Sequence, residues 1–249
     1  MSKASVLPWY YWLYQPYKWL VFIPLMVVNS IVFAVLAALC AIFVSSRCGN
    51  SVGALWARVT CWITPVKVGV KGVENIKKSK SYVIVANHQT GFDIFMLYAY
   101  LPIDFRWLMK KELRNIPFIG FASEKVGHIF IDKRSALTAI NSLNHAKDKL
   151  VNGTSVFIFP EGSRTWDYRM KSFKKGAFRL ALDLELDILP VTIVDSYKIK
   201  RRGSFNIVPG SAGLIIHPEI KTSKYKNNID ELMHYTRDVI SGEIVNRID

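Results

Sequence analysis

Residues 19–46 form an unbroken run of 28 side chains without a charge, held between Lys18 and Arg47. About 20 apolar residues suffice to cross the hydrocarbon core of a bilayer, so the run is long enough to do so. A secretory signal would have a shorter apolar region, roughly 7–15 residues, and a small-x-small cleavage site that does not follow cleanly here. A lipoprotein signal fits no better, because Leu39 stands before Cys40 where a small residue is needed. The expectation is an uncleaved membrane segment. Pro24 and the Asn29-Ser30 pair could kink it partway, which leaves a full span and a hairpin-like dip both open.

The flanks support this reading. Trp9, Tyr10, Tyr11, Trp12, Tyr14, Tyr17 and Trp19 make an aromatic cluster of the kind that settles at headgroup depth, where amphipathic rings are half wet. Beyond the run, Val52, Leu55, Trp56, Val59 and Trp62 recur at helical spacing within residues 51–64, which predicts a second, interfacial amphipathic helix. The alternative is that these aromatics form the core of a soluble helical cap. Arg47, Arg58, Lys67 and Lys71 follow the apolar run, so the positive-inside rule places the rest of the chain on the cytoplasmic side of an inner (cytoplasmic) membrane. Residues 1–66 are thus expected to be membrane-anchoring helices, and residues 67–249 an α/β domain.

Charge narrows the function. Lys and Arg number 33 against 19 Asp and Glu, a formal charge of +14, of which the first 66 residues contribute four cations and no acid. The remaining +10 calls for an anionic partner: nucleic acid, an anionic membrane or a phosphorylated substrate. Nucleic acid is disfavoured, since the body has no recognisable reading motif and the aromatics gather at the membrane end. Cys40, Cys48 and Cys61 are the only cysteines, odd in number and without CxxC spacing, which argues against a disulfide framework or a zinc knuckle.

From Lys67 onward the pattern is mixed. Residues 66–73 alternate, and buried strands are predicted at 82–86, 127–131, 155–159, 188–194 and 214–217. Helices are predicted between them at 94–100, 135–152 and 177–184, with a last one from Asn228. Strands alternating with helices indicate an α/β fold, a mostly parallel central sheet flanked by helices on both faces.

Chemistry concentrates where strands end. The strand at 82–86 leads into Asn87-His88-Gln89-Thr90-Gly91-Phe92-Asp93. In one continuous helix His88 and Asp93 would stand roughly 140° apart, too far round to meet. If the strand stops at Asn87 and Gly91 bends the chain, Asp93 can begin the next helix and reach back to His88. A carboxylate on one imidazole nitrogen leaves the other as a general base, a triad without its serine, so the nucleophile must come from the substrate. The strand at 155–159 runs into Pro160-Glu161-Gly162-Ser163-Arg164, where Gly162 lets backbone approach a ligand and Arg164 can grip a phosphate bidentately. Asp132-Lys133-Arg134 ends another strand, and Lys110 and Lys174 lie in nearby basic runs. The run Lys198-Ile199-Lys200-Arg201-Arg202-Gly203 is expected to be a solvated hairpin tip, with docking of an acidic carrier or lipid headgroups as the alternative.

Taken in chain order, the His88/Asp93 turn, residues 127–134, the turn 159–164 and Leu189-Pro190-Val191 closely resemble the four blocks of the glycerolipid acyltransferases, specifically the 1-acylglycerol-3-phosphate acyltransferases. The resemblance covers about residues 67–220, and its paired NHxxxxD and FPEGSR signals are far more specific together than either alone. It implies catalytic roles for His88 and Asp93. It also implies that Glu161, Gly162 and Arg164, with a basic residue of the second block, help to bind the glycerol phosphate. The family usually has Arg directly after the residue matching Asp132, whereas this chain has Lys133 and then Arg134, so both are carried as candidates beside Lys110 and Lys174. The implied reaction acylates the sn-2 hydroxyl of lysophosphatidic acid, giving phosphatidic acid. An acyl thioester of acyl carrier protein or coenzyme A is the co-substrate, with no other cofactor and no metal, and an anionic membrane is the setting. Two alternatives stay open: acylation of another lysophospholipid or lyso-aminolipid, and a non-catalytic basic protein that binds membrane.

Overall fold

The structure is a computed structural model and describes residues 10–131, 153–166, 169–200 and 207–245. Its strands are β1 (Val66–Lys71), β2 (Tyr82–Ala86), β3 (Phe105–Lys110), β4 (Ile129–Ile131), β5 (Ser155–Ile158), β6 (Asp187–Val194) and β7 (Gly210–Ile216). They form one seven-stranded sheet in the order β1-β7-β6-β2-β5-β3-β4. Every neighbouring pair is parallel except β6 and β7, so the sheet is mostly parallel as the alternation of elements predicts.

Central strands in such a sheet are covered on both faces, and their side chains divide accordingly. Tyr82, Ile84 and Ala86 of β2 face one apolar cluster, while Val83 and Val85 face another. The second cluster is closed by α6 (Gly176–Asp183) and α8 (Ile229–Val245) through Phe178, Ala181, Leu232 and Ile240. The first is closed by α4 (Asp93–Tyr100) and by helices from the N-terminal segment: it contains Met96 and Leu97, and also Phe22, Ala57 and Cys61. One continuous core therefore runs from the sheet into the N-terminal helices.

Those helices are α1 (Tyr10–Tyr17), a π-helical turn at Lys18–Phe22, α2 (Ile23–Phe43) and α3 (Ser46–Trp62). From Tyr11 to Phe43 they give 33 residues of helix, long and apolar enough to cross a membrane by length and composition. Leu25, Val28, Val32, Leu36 and Leu39 lie exposed along it. Of the two candidate kink sites, Asn29-Ser30 lies within an uninterrupted α2, and the irregular turn lies just before Pro24, whose missing N–H cannot complete an α-helical ladder. The two polar residues instead clamp α3. Asn29 Nδ2 donates to Thr60 Oγ1 (3.0 Å) and to Trp56 O (3.3 Å), and Trp56 Nε1 donates to Ser30 Oγ (3.1 Å). α3 thus differs from the purely interfacial helix expected of it. Leu55 and Trp62 face outward, but Ala57, Thr60 and Cys61 are buried, and Arg58 Nη2 donates to Ala99 O of α4 at 2.9 Å.

Two elements have no counterpart in the sequence pattern, β3 and α5 (Ile119–Val126). The strand is masked by Arg106, a buried cation that pairs with Asp104 at 2.6 Å and donates to Ser46 Oγ at 3.0 Å. The strand predicted from residue 127 begins at Ile129, because Gly127 sits at φ +94° and closes α5 in the left-handed conformation that glycine adopts freely. The predicted helix 135–152 and the Asp132-Lys133-Arg134 run lie outside the described residues. Residues 198–200 are not at a hairpin tip. Ser196–Ile199 form a single helical turn, α7, and Lys200 bridges antiparallel to Ile207. Residues 201–203 lie outside the described residues.

Candidate active site

β6, β2 and β5 are parallel neighbours, so the turns that follow them open on one edge of the sheet, where ligands collect in open α/β folds. Asn87 ends β2. Its Nδ2 donates to Ile193 O (2.9 Å) and its Oδ1 accepts from Ile193 N (2.7 Å), so an amide side chain continues the ladder and locks the turn to β6.

His88 Nδ1 lies 2.8 Å from Asp93 Oδ2. That oxygen also accepts from Gln89 N (2.7 Å) and Thr90 N (2.9 Å). An oxygen taking two amide protons has only acceptor capacity left, so Nδ1 donates to it, and in the neutral imidazole the lone pair is then on Nε2. The other carboxylate oxygen accepts from Thr90 Oγ1 (3.2 Å) and from Ser196 Oγ. Asp93 is fully buried at the start of α4. Phe159 stacks on the imidazole, ring centroids 3.8 Å apart and planes 13° from parallel, and 11% of the His88 side chain stays exposed. The ring is held on one edge and one face, and only a small part of it reaches solvent.

The turn after β5 is strapped to this dyad. Glu161 Oε1 accepts from His88 N (2.7 Å) and Oε2 from Lys171 N (2.8 Å). Burial raises the Glu161 carboxyl above the ordinary range, while hydrogen bonds from the Lys171 and His88 amides pull the other way. Both oxygens are thereby committed to backbone. Glu161 thus acts as a strut between the two turns. Thr165 N donates to His88 O (2.9 Å) and Trp166 N to Gln89 O (3.2 Å), completing the join. Trp166 adopts φ +67°, an uncommon conformation for a bulky residue.

The basic candidates divide. Arg164 has its guanidinium 5.3 Å from the Trp166 ring centroid and 3.7 Å from where a Cβ on Gly91 would sit. Lys174 reaches Gly162, whose φ of +74° favours glycine and where an added Cβ would lie 3.3 Å from Nζ. The amide of Gly162 donates to Phe159 O (3.1 Å). Lys110 is exposed at the carboxyl end of β3, on the same edge of the sheet but beyond β5. Lys133 and Arg134 lie outside the described residues.

The sequence pattern of the acyltransferase family matches residues 67–194, which include the dyad, the strut and Arg164. The chain belongs to this family. This acyltransferase-family chain is 36% identical over 173 residues to a chloroplastic 1-acyl-sn-glycerol-3-phosphate acyltransferase of Arabidopsis thaliana, covering 68% of this chain and 48% of that protein. It is 30% identical over 180 residues to the 1-acyl-sn-glycerol-3-phosphate acyltransferase of Borreliella burgdorferi, covering 71% and 72% respectively. The chain thus spans about half the length of the plant relative and more of the bacterial one. Its fold matches the crystal structure of the 1-acyl-sn-glycerophosphate acyltransferase PlsC of Thermotoga maritima, with TM-score 0.82, 24% identity and coverage of 95% and 97%.

Three contributors to the site escaped the sequence reading. Ser196 carries no local signal. Lys171, whose Nζ donates to Ser163 Oγ (2.8 Å) and Arg164 O (2.9 Å), shapes the turn from outside the recognised block. Lys200 belongs to a visible basic run, and its place shortly after the end of β6 is the signal that could have found it.

Proposed function

We propose that this chain transfers an acyl group from an acyl thioester to the sn-2 hydroxyl of 1-acylglycerol-3-phosphate, giving phosphatidic acid. The observation that carries the reading is the His88–Asp93 pair, one nitrogen held at 2.8 Å by a buried carboxylate beside an arginine-bearing turn. His88 Nε2 removes the proton of the sn-2 hydroxyl as its oxygen attacks the thioester carbonyl. The tetrahedral intermediate collapses, the carbon–sulfur bond breaks, and protonated His88 returns the proton to the departing thiolate. Asp93 keeps the tautomer and steadies the imidazolium that forms. Arg164 grips the phosphate, so that encounter becomes alignment. The donor is a thioester of acyl carrier protein or coenzyme A, and the reaction as written takes no metal. The exposed apolar helix supports a membrane setting, with the sheet and its site on the cytoplasmic side, since acceptor and product are both lipids.

The test is an acyl-transfer assay on the full chain in phospholipid vesicles, with lysophosphatidic acid and both classes of thioester offered in parallel. His88→Ala is expected to lower turnover by about 10²–10⁴-fold while vesicle association persists. Wild-type turnover in that variant removes the proposal.

A further inference from the structure

Lys200 meets Arg164 of the turn after β5 at the Gly91 turn. Its Nζ lies 3.6 Å, and Arg164 Nη2 3.7 Å, from one point, the place a Cβ on Gly91 would occupy. Gly91 belongs to the His88–Asp93 turn, and the residue after Arg164 is bonded to His88 O, so this point adjoins the general base. Two cations converging on a side chain that is missing repel each other, and an anion between them reverses the sign of that interaction. Lys200 is half-buried as well. Burial, and then the Arg164 charge, lower its affinity for a proton.

We infer that Lys200 is a specificity-determining residue that, with Arg164, grips a phosphate monoester across Gly91 and selects it over phosphodiester headgroups. A monoester near neutral pH carries roughly −1.5 to −2 charges, which two cations match, whereas a diester carries one and bears a substituent on the oxygen a second cation would hold. The sn-2 hydroxyl of the acceptor is a few bonds from its phosphorus, as the closeness of Gly91 to His88 requires. Lys200 arrives on the turn that also brings Ser196 to Asp93, so acceptor grip and base alignment share one short segment.

This inference rests on the acyl-transfer reading above, and the experiment separates the two. Wild type, Arg164→Ala, Lys200→Met and Lys200→Arg are assayed in vesicles for the KM of lysophosphatidic acid and for the inhibition constant of lysophosphatidylglycerol, a diester. Lys200→Met is expected to raise that KM roughly ten- to hundredfold, while the inhibition constant stays within about twofold and Lys200→Arg keeps most of the wild-type affinity. As a readout independent of turnover, inorganic phosphate should raise the melting temperature of wild type and of Lys200→Arg but not of Lys200→Met. Equal weakening toward monoester and diester, or an unchanged KM with Lys200→Met, overturns the role of Lys200 while a raised KM in Arg164→Ala upholds the phosphate site. Absence of transfer in wild type overturns both.

Discussion

Ser196 braces Asp93 on the oxygen that His88 does not use. The carboxylate is fully buried, so removing one donor leaves it under-satisfied and free to shift from the position in which it orients the imidazole. A hydrogen bond to a charged group is worth roughly 1.5–3 kcal/mol, so Ser196→Ala is expected to lower kcat about ten- to hundredfold. The acceptor KM should stay near its wild-type value, and a kcat equal to that of the wild type would reduce Ser196 to a packing residue. At this scale the sequence was legible where partners are local. His88 and Asp93 stand five apart and their turn announces itself, whereas Ser196 arrives from 103 residues away and looks like any serine after a strand. Glu161 was visible as a residue but not as a strut, since only the fold shows that two backbone amides take its oxygens.

Among the elements, α2 and α3 approach closely because of Gly49. A Cβ there would meet Ala37 O at 2.7 Å and Ala41 Cβ at 2.8 Å, atoms that cannot step aside without moving α2. Gly49→Val is therefore expected to cost about 1–3 kcal/mol through overpacking, read as a melting temperature several degrees lower in detergent, with loosened contact between α3 and α4. An unchanged melting curve would mean the helices separate freely. α2 was legible because an absence of charge over that length has few explanations. β3 was not, since Arg106 and Lys110 break an otherwise apolar strand and the first is neutralised by a neighbour, Asp104, that the strand pattern does not count. Asn29 misled in the same way: a polar residue in an apolar helix reads as a break until its partner on the next helix is known.

The whole molecule is fastened at the sheet edge opposite the site. Glu219 takes Lys77 at 2.9 Å, Lys80 at 2.9 Å, Lys221 at 2.8 Å and the Tyr82 hydroxyl at 3.0 Å, and Asp187 takes Lys80 and Lys221. Burial alone would raise both carboxyls, but these hydrogen bonds overcome it and hold Glu219, and to a lesser degree Asp187, below the ordinary range. A carboxyl depressed in the folded state stabilises it above the unfolded value, and the benefit fades as pH falls below about 4 toward the folded value. The melting temperature should therefore drop between pH 5 and pH 3 (roughly the range in which free carboxylates titrate), and Glu219→Gln should melt lower at neutral pH with a shallower acid slope. An identical slope in both proteins would place the acid sensitivity elsewhere.

The strand order carries a consequence for synthesis. β1, the first strand, pairs with β7, the last, and Asn87 finds Ile193 across 106 residues. Such non-local pairings form slowly, because loop closure must precede any reward from contact. The apolar helices leave the ribosome long before the sheet can close, so Phe22, Ala57 and Cys61 wait for the part of the core that Leu214 and Ile216 of β7 complete. The His88 turn gains its last braces only when residue 196 has emerged, which makes the dyad one of the final features of the chain to mature.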